Sequence, residues 1–472
     1  MKSTFHRGRI GYACKDGKLY AFTKKHVLVM RGWPAPCAWV KRARSGWRHD
    51  RKFADELFST SLFAASESVS PEPPDTSNEA LEPYEEPDDP NDPAARDLAL
   101  ALKRWRIRLQ WRKNLACARF FEGIPAAERE ALLHYSRRKW HMLNLFARVP
   151  GSMELQENNP ALAYALASNW AFHRPAVSQP MRAARSLITK KQRHILGWLG
   201  FPATEANCRI FRKIPPECVS MESLLYLRHT LNDPTRHKIL CHLPVINAGV
   251  LQLINDRRAM AVLTPRVLEE VAVRDEDRIL VTTYNTLTDL FYMNRQLGGD
   301  QMPSRFTSHA RLMEVHQDLA ERTNRAYTRG AIALPEHLPD PPLGGTTDIV
   351  PLRTPEEVVE EGRIMRHCVA SYLHRVAAGN YFIYRVTHPV RATLGIERDQ
   401  DQWVVDQIQG EKNSHVPQAV WDMLVDALFN RSDPLPGNPK HVGVSCDVHG
   451  DPVEHVPEEL AGAVERVAAA FG

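Results

Sequence analysis

The sequence predicts a multidomain α+β protein. A basic, β-rich module comes first, a large and mainly α-helical region follows, and a compact α+β domain with a three-stranded antiparallel meander lies near the end. Three observations predict this. Short apolar runs around an Asp-Gly pair mark hairpins in the first 53 residues. Apolar residues then recur at helical spacing, punctuated by Asn, Asp, Gly and Pro, up to about residue 334. A helix–strands–helix order follows after residue 350, beyond a proline-rich boundary.

Composition narrows the class. Apolar residues are 43% and charged residues 25% of 472, as in ordinary globular chains. The 61 Lys and Arg against 56 Asp and Glu leave a net charge of only +5, so the balance alone demands no nucleic-acid partner. No run approaches the ~18 apolar residues of a transmembrane helix, and the start lacks the apolar core of a signal peptide. The eight cysteines include no C-x-x-C pair, which argues against a zinc ribbon and against a disulfide framework. A reducing, cytoplasmic setting without membrane insertion is expected.

Residues 1–63 are the basic module. The first 53 hold 14 Lys or Arg against Asp16 and Asp50 alone. Asp16-Gly17 suits a type I′ turn, because both central positions need positive φ. Trp33, Trp39 and Trp47 interleave with Lys41, Arg42, Arg44 and Arg48, a pattern suited to base stacking and phosphate contact, or to a small β unit with solvated cations. Residues 64–96 read as a disordered acidic linker: 66–93 carry ten Asp or Glu, seven prolines and no Lys or Arg.

The helical region spans 97–334. Leu98, Leu102, Trp105 and Leu109 share one helix face, and seven cations without an acid occupy 98–121, among them Lys103, Arg104, Arg106, Arg108, Arg112 and Lys113. Such a helix suits phosphate, an anionic surface, the acidic linker, or a core with a basic solvent face. Further helices are expected over 126–148, 160–173, 182–199, 220–231, 265–271 and 308–326. Residues 189–214 resemble a helix-turn-helix, with Lys190, Lys191 and Arg193 in the first helix and Thr204 capping the second.

Residues 335–349 form a Pro/Gly linker, and 350–432 form the α+β domain; 433–472 are a tail with a terminal helix. Thr354-Pro355-Glu356-Glu357 starts a helix with a capping box. Gly362 is expected to interrupt it, and a second helix from about Arg363 to Gly379 carries His367, Cys368 and Tyr372. Strands follow at 381–386, 391–397 and 403–408, then a helix over 417–429.

The chemistry-bearing residues concentrate here. Cys368 and Tyr372 lie four apart, and Arg385, Thr393, Glu397 and Gln407 are polar positions in or beside apolar strands, followed by Asn413. If helix and sheet pack together, thiol, imidazole, guanidinium and carboxylate can converge as a catalytic set. In that case Arg385 holds an anion, Glu397 acts as base, and His367 or Cys368 transfers a proton or attacks. The alternative is a polar network that locks a small core. A metal set from His367, Cys368, His374, Cys446 and His449 lacks a known spacing, and no metal is assigned.

The run Glu361-Gly362-Arg363-Ile364-Met365-Arg366-His367-Cys368-Val369-Ala370-Ser371-Tyr372 resembles the signature of the PcfJ-like protein family. The likeness continues through Gly379, Tyr384-Arg385, Arg391 to Leu394 and Gln407 to Asn413, and more loosely through Asn159 to Ala163 and Lys190 to Ile214. The resemblance implies association with plasmids and other mobile elements, and a functional centre at His367, Cys368, Tyr372, Arg385, Thr393, Gln407 and Asn413. It implies no reaction or cofactor. Three functions follow as expectations: nucleic-acid engagement through the basic segments, a hydrolase or nuclease on 350–430, or a protein-binding adaptor of conjugation or defence systems.

Overall fold

A computed structural model describes residues 11–22, 26–42, 47–49, 54–55, 58, 108, 111–168, 180–273, 283–299, 305–399, 402–414 and 416–431. The chain divides into two compact units, the first containing residues up to Leu224 and the second running from Leu225.

The first unit opens with five antiparallel strands in sequence order: β1 (Gly11–Lys15), β2 (Lys18–Phe22), β3 (His26–Arg31), β4 (Cys37–Arg42) and β5 (Trp47–His49). Asp16 and Gly17 take φ of 51° and 68°, the left-handed pair that the tight β1–β2 turn requires. Alternation places Tyr20, Val29, Cys37 and Trp39 in one cluster with Phe22, Val27 and Trp47 against it. Leu19, Leu28, Met30 and Ala38, at the intervening positions, are buried too, so both faces of the sheet are covered. Phe58, Phe120, Phe121 and Trp140 form an aromatic cluster with ring centroids 5.2–6.4 Å apart.

Helices fill the rest of this unit. The helix Pro160–Ala167, buried from Ala161 onward, is started by Asn159, whose Oδ1 accepts from Leu162 N while its Nδ2 donates to Gln192 Oε1 and Cys208 O. One side chain thus caps a central helix and ties it to two neighbours. The helix expected over 126–148 is two, Ala126–Leu133 and Lys139–Arg148, because Arg138 sits in the left-handed region at φ 61°. The stretch 182–199 likewise divides into Pro180–Ile188 and Gln192–Trp198. Glu205–Arg212 follows, with Thr204 Oγ1 accepting from Asn207 N as its cap. The acidic linker, most of the basic helix before residue 108 and the tail lie outside the described residues.

The second unit begins as short capped helices. Asp233, Asn247 and Asp256 each accept backbone N–H groups at the starts of Pro234–His242, Ala248–Asn255 and Arg257–Val262. Two longer helices, Thr283–Gln296 and His309–Thr328, pack on each other and on the turn at Cys368–Tyr372. A four-stranded antiparallel sheet follows in the order β6 (Ile349–Pro351), β7 (Tyr381–Val386), β8 (Ala392–Asp399) and β9 (Gln402–Gln409). The three-stranded meander is present, and β6 extends it. This strand is only three residues long and abuts the proline-rich stretch, so no alternation announced it.

Gly362 does not interrupt its helix. Pro355–Met365 is continuous, opened by the capping box of Thr354 and Glu357. A Cβ at Gly362 would lie 2.9 Å from Asn324 Oδ1, so glycine here permits close approach to the helix His309–Thr328. The helix ends at Arg366, in the left-handed region at φ 54°. Gln317 donates to the Arg366 carbonyl and Asn324 to that of His367, which holds this break in place. His367 is therefore extended backbone, and Cys368–Tyr372 is a 3-10 turn leading into Leu373–Ala377, in place of the single helix expected from 363 to 379.

Candidate functional site

The site is built around the break at 366–367. It exposes polar groups of the turn to the face of β7, β8 and β9, and the result is a cleft of about 290 Å3 including its open mouth. His367, Cys368, Tyr372, Tyr381, Thr393, Gln407, Gln409 and Asn413 line it. Of the eight residues singled out in the sequence, six thus meet in one place.

The other two, Arg385 and Glu397, stand behind or beside the cleft. Arg385 Nε donates to Glu361 Oε2 at 2.9 Å, and Arg391 grips the same carboxylate through Nη1 and Nη2 at 2.8 and 2.6 Å. Glu361 is 0% exposed. Burial alone raises a carboxyl's pKa, but the hydrogen bonds from Arg391, Thr393 and Arg385 more than offset this, and Glu361 titrates below the usual carboxylate range. Glu397 pairs with Arg375 at 2.8 Å, whose guanidinium lies over the rings of Tyr381 and Tyr372 at 4.5 and 5.5 Å.

Glu361 continues inward. Thr393 Oγ1 donates to Glu361 Oε1 at 2.6 Å, and the same oxygen is 2.9 Å from His367 Nε2. A hydroxyl has one proton. With that proton spent on the carboxylate, Thr393 accepts from Nε2–H, which fixes the tautomer and leaves Nδ1 as the acceptor nitrogen of the ring. Nδ1 is buried and has no hydrogen-bond partner among the described residues. Burial pushes the pKa of His367 down to about 4, with Glu361 opposing only in part, so the imidazole is neutral at ordinary pH.

A second group lies on the other side of the turn. Cys368 Sγ donates to Asp289 Oδ2 at 3.5 Å, and Tyr372 hydroxyl donates to Asp289 Oδ1 at 2.7 Å. Burial, then the Asp289 charge, raise both the thiol and the phenol well above their ordinary values. Cys368 is thus held as a thiol, the inert state for a nucleophile.

The strands shape the cleft floor. A bulge between Gly395 and Ile396 leaves Asp406 of β9 unpaired in register. Tyr381 hydroxyl donates to Asp406 Oδ2 at 3.0 Å and accepts from Gln407 Nε2 at 3.1 Å. A Cβ at Gly395 would collide with that hydroxyl, so only glycine admits Tyr381 here.

Several participants escaped the sequence reading. Glu361 and Arg391 stood inside the quoted motif but carried no assigned role. Asp289 and His316 lie far upstream in sequence. The available signal for His316 was its place in a buried stripe with Leu312, Leu319 and Thr323, where an apolar residue is expected.

The cationic candidates lie in the first unit. Arg48, Arg108, Arg112, Lys190 and Lys191 are exposed, and Arg193 is half-buried. Lys190 and Lys191 precede the helix Gln192–Trp198 instead of lying within it. The Lys113 ammonium lies 5.7 Å over the Tyr12 ring, and burial lowers its pKa. Arg42 ends β4, whereas Arg44, Lys103, Arg104 and Arg106 lie outside the described residues.

No curated protein and no solved structure matches the chain. Residues 286–421 match the family model described as PcfJ-like protein. That stretch contains every group of the site from Asp289 to Asn413, and over it the chain is similar to the PcfJ-like protein family.

Proposed function

We propose that the protein engages nucleic acid in the cytoplasmic setting of a plasmid or another mobile element, and that the cleft of the 286–421 region is its hydrolytic centre. The observation that carries the second part is the Glu361–Thr393–His367 relay, which presents a neutral, oriented imidazole with an unspent acceptor nitrogen. In this reading His367 Nδ1 takes a proton from the attacking water. Cys368 is not the nucleophile, because its thiol keeps its proton. Arg385 supports the relay through Glu361 and does not bind the anion. The exposed cations Arg48, Arg112, Lys190 and Lys191 supply phosphate contacts.

One observation favours a binding-only adaptor as a second reading. Arg385 and Arg391 are both spent on Glu361, so neither offers its full charge to a phosphate in the cleft. The test uses full-length protein with labelled single- and double-stranded DNA and RNA, at low and moderate salt, with divalent metal. The hydrolytic reading expects binding that weakens steeply with salt, and cleavage that His367→Gln abolishes while binding persists. Binding without cleavage returns the adaptor. Absence of binding at low salt overturns nucleic-acid engagement.

A further inference from the structure

We infer that Asp289, His316 and Cys368 form a binding site for a zinc-type divalent transition metal, with Asp289 Oδ2, His316 Nε2 and Cys368 Sγ as ligands. The three residues come from three separate elements: the helices Thr283–Gln296 and His309–Thr328, and the turn Cys368–Tyr372. Their donor atoms all lie within 4.8 Å of one another. Asp289 Oδ2 is 3.5 Å from Cys368 Sγ and 3.9 Å from His316 Nε2. Tetrahedral zinc at ordinary bond lengths needs such donors about 3.3–3.7 Å apart. The observed spacing is therefore within a small side-chain adjustment of coordination.

An independent observation points to a ligand. His316 is 3% exposed, yet among the described residues neither of its buried ring nitrogens has a hydrogen-bond partner. Buried imidazoles are normally satisfied, because an unpaired one loses its hydration and gains no bond in return. A metal on Nε2 supplies the missing partner there. The charge balance agrees: one carboxylate, one thiolate and a neutral imidazole cancel a divalent cation, as a buried site requires.

The surroundings match as well. Tyr372 hydroxyl holds Asp289 Oδ1 at 2.7 Å, which orients the carboxylate and turns Oδ2 toward Cys368 and His316, where it can meet the ion once the thiol gives up its proton. Ligating carboxylates are commonly held in this way. On binding, a metal–sulfur bond forms and the Cys368 proton passes to solvent. Three protein ligands leave a fourth position for water or substrate, the pattern of catalytic zinc. Cys368 and Tyr372 also line the cleft beside His367, so the ion would lie next to the proposed centre. The inference stands apart from the hydrolytic reading, because metal binding is measured without substrate.

The test uses the full chain, reduced and stripped with chelator, then titrated with Co2+ and afterwards with Zn2+. One equivalent of Co2+ is expected to give a near-ultraviolet thiolate charge-transfer band and tetrahedral visible bands, which Zn2+ removes. Cys368→Ser should lose the charge-transfer band. Cys241→Ser, which alters the exposed cysteine beside His237, should keep it. Tyr372→Phe should weaken binding about 10–100-fold. No thiolate band at saturating Co2+ in folded wild type overturns the inference, as does a band that survives Cys368→Ser. A melting measurement covers the case of poor folding in the cysteine variant: Zn2+ should raise the Tm of wild type and not of Asp289→Asn. An equal rise in both overturns the site.

Discussion

Glu361 is a carboxylate with no exposed surface, held in the charged form by its neighbours. A fully buried carboxylate is tolerable only because two guanidinium groups and a hydroxyl converge on it. Glu361→Gln keeps the shape but removes the charge on which Arg385 and Arg391, each about a third exposed, converge. Removing one partner of a fully buried pair typically costs about 3–5 kcal/mol; solvent reaches both guanidinium groups here, so a smaller loss is expected in chemical denaturation. Thr393→Val is expected to act differently. It conserves volume but deletes the hydroxyl that fixes the His367 tautomer. His367 Nε2–H and Glu361 both lose a partner, and a cost of roughly 1–3 kcal/mol should accompany the lost orientation.

At the scale of elements, the turn after Met365 decides the site. The capping box, the helix start, the three meander strands and the end near Gly379 were legible, because each has a local chemical cause in neighbouring residues. The break at Arg366 was not. Its cause is tertiary: Gln317 and Asn324 reach across from another helix to the carbonyls of Arg366 and His367. A helical reading from 363 to 379 puts neighbouring residues about 100° apart, whereas the extended His367 and the 3-10 turn send imidazole and thiol into different networks. Asn324→Ala should therefore loosen this turn, visible as faster amide exchange at 366–372. On the sheet, Gly395→Ala should displace Tyr381 from Asp406 and Gln407. A loss in the upper part of the usual 0.5–3 kcal/mol range is expected in thermal or denaturant melts.

At the scale of the whole molecule, acid stability follows from the same network. The unfolded chain protonates His367 near its ordinary 6.5, while the folded protein holds it neutral down to about 4. Between these values the unfolded state binds more protons, so stability falls as pH drops through that window, by roughly 3 kcal/mol in all. Glu361 adds a lower step. Its folded pKa is depressed, so its contribution is fully present above the ordinary carboxylate value and is lost as pH falls through the folded one. Melts across pH 7 to 4 should show this decline, and His367→Gln should flatten it. Among the described residues no helix is long and apolar enough to cross a membrane, as the hydropathy pattern led one to expect. The sequence concentrated its chemical signal in 361–413, and six of eight named residues meet there. Asp289 and His316 were hidden, because only the folded chain carries two upstream helices to that turn.

The account turns on His367 being a neutral imidazole protonated at Nε2, and nitrogen NMR of histidine-labelled protein measures this directly. The relay predicts the Nε2–H tautomer for His367 at neutral pH, with no charging until pH approaches 4. A His367 resonance assigned by its loss in His367→Gln that shows the Nδ1–H tautomer, or that titrates near 6.5, would contradict it.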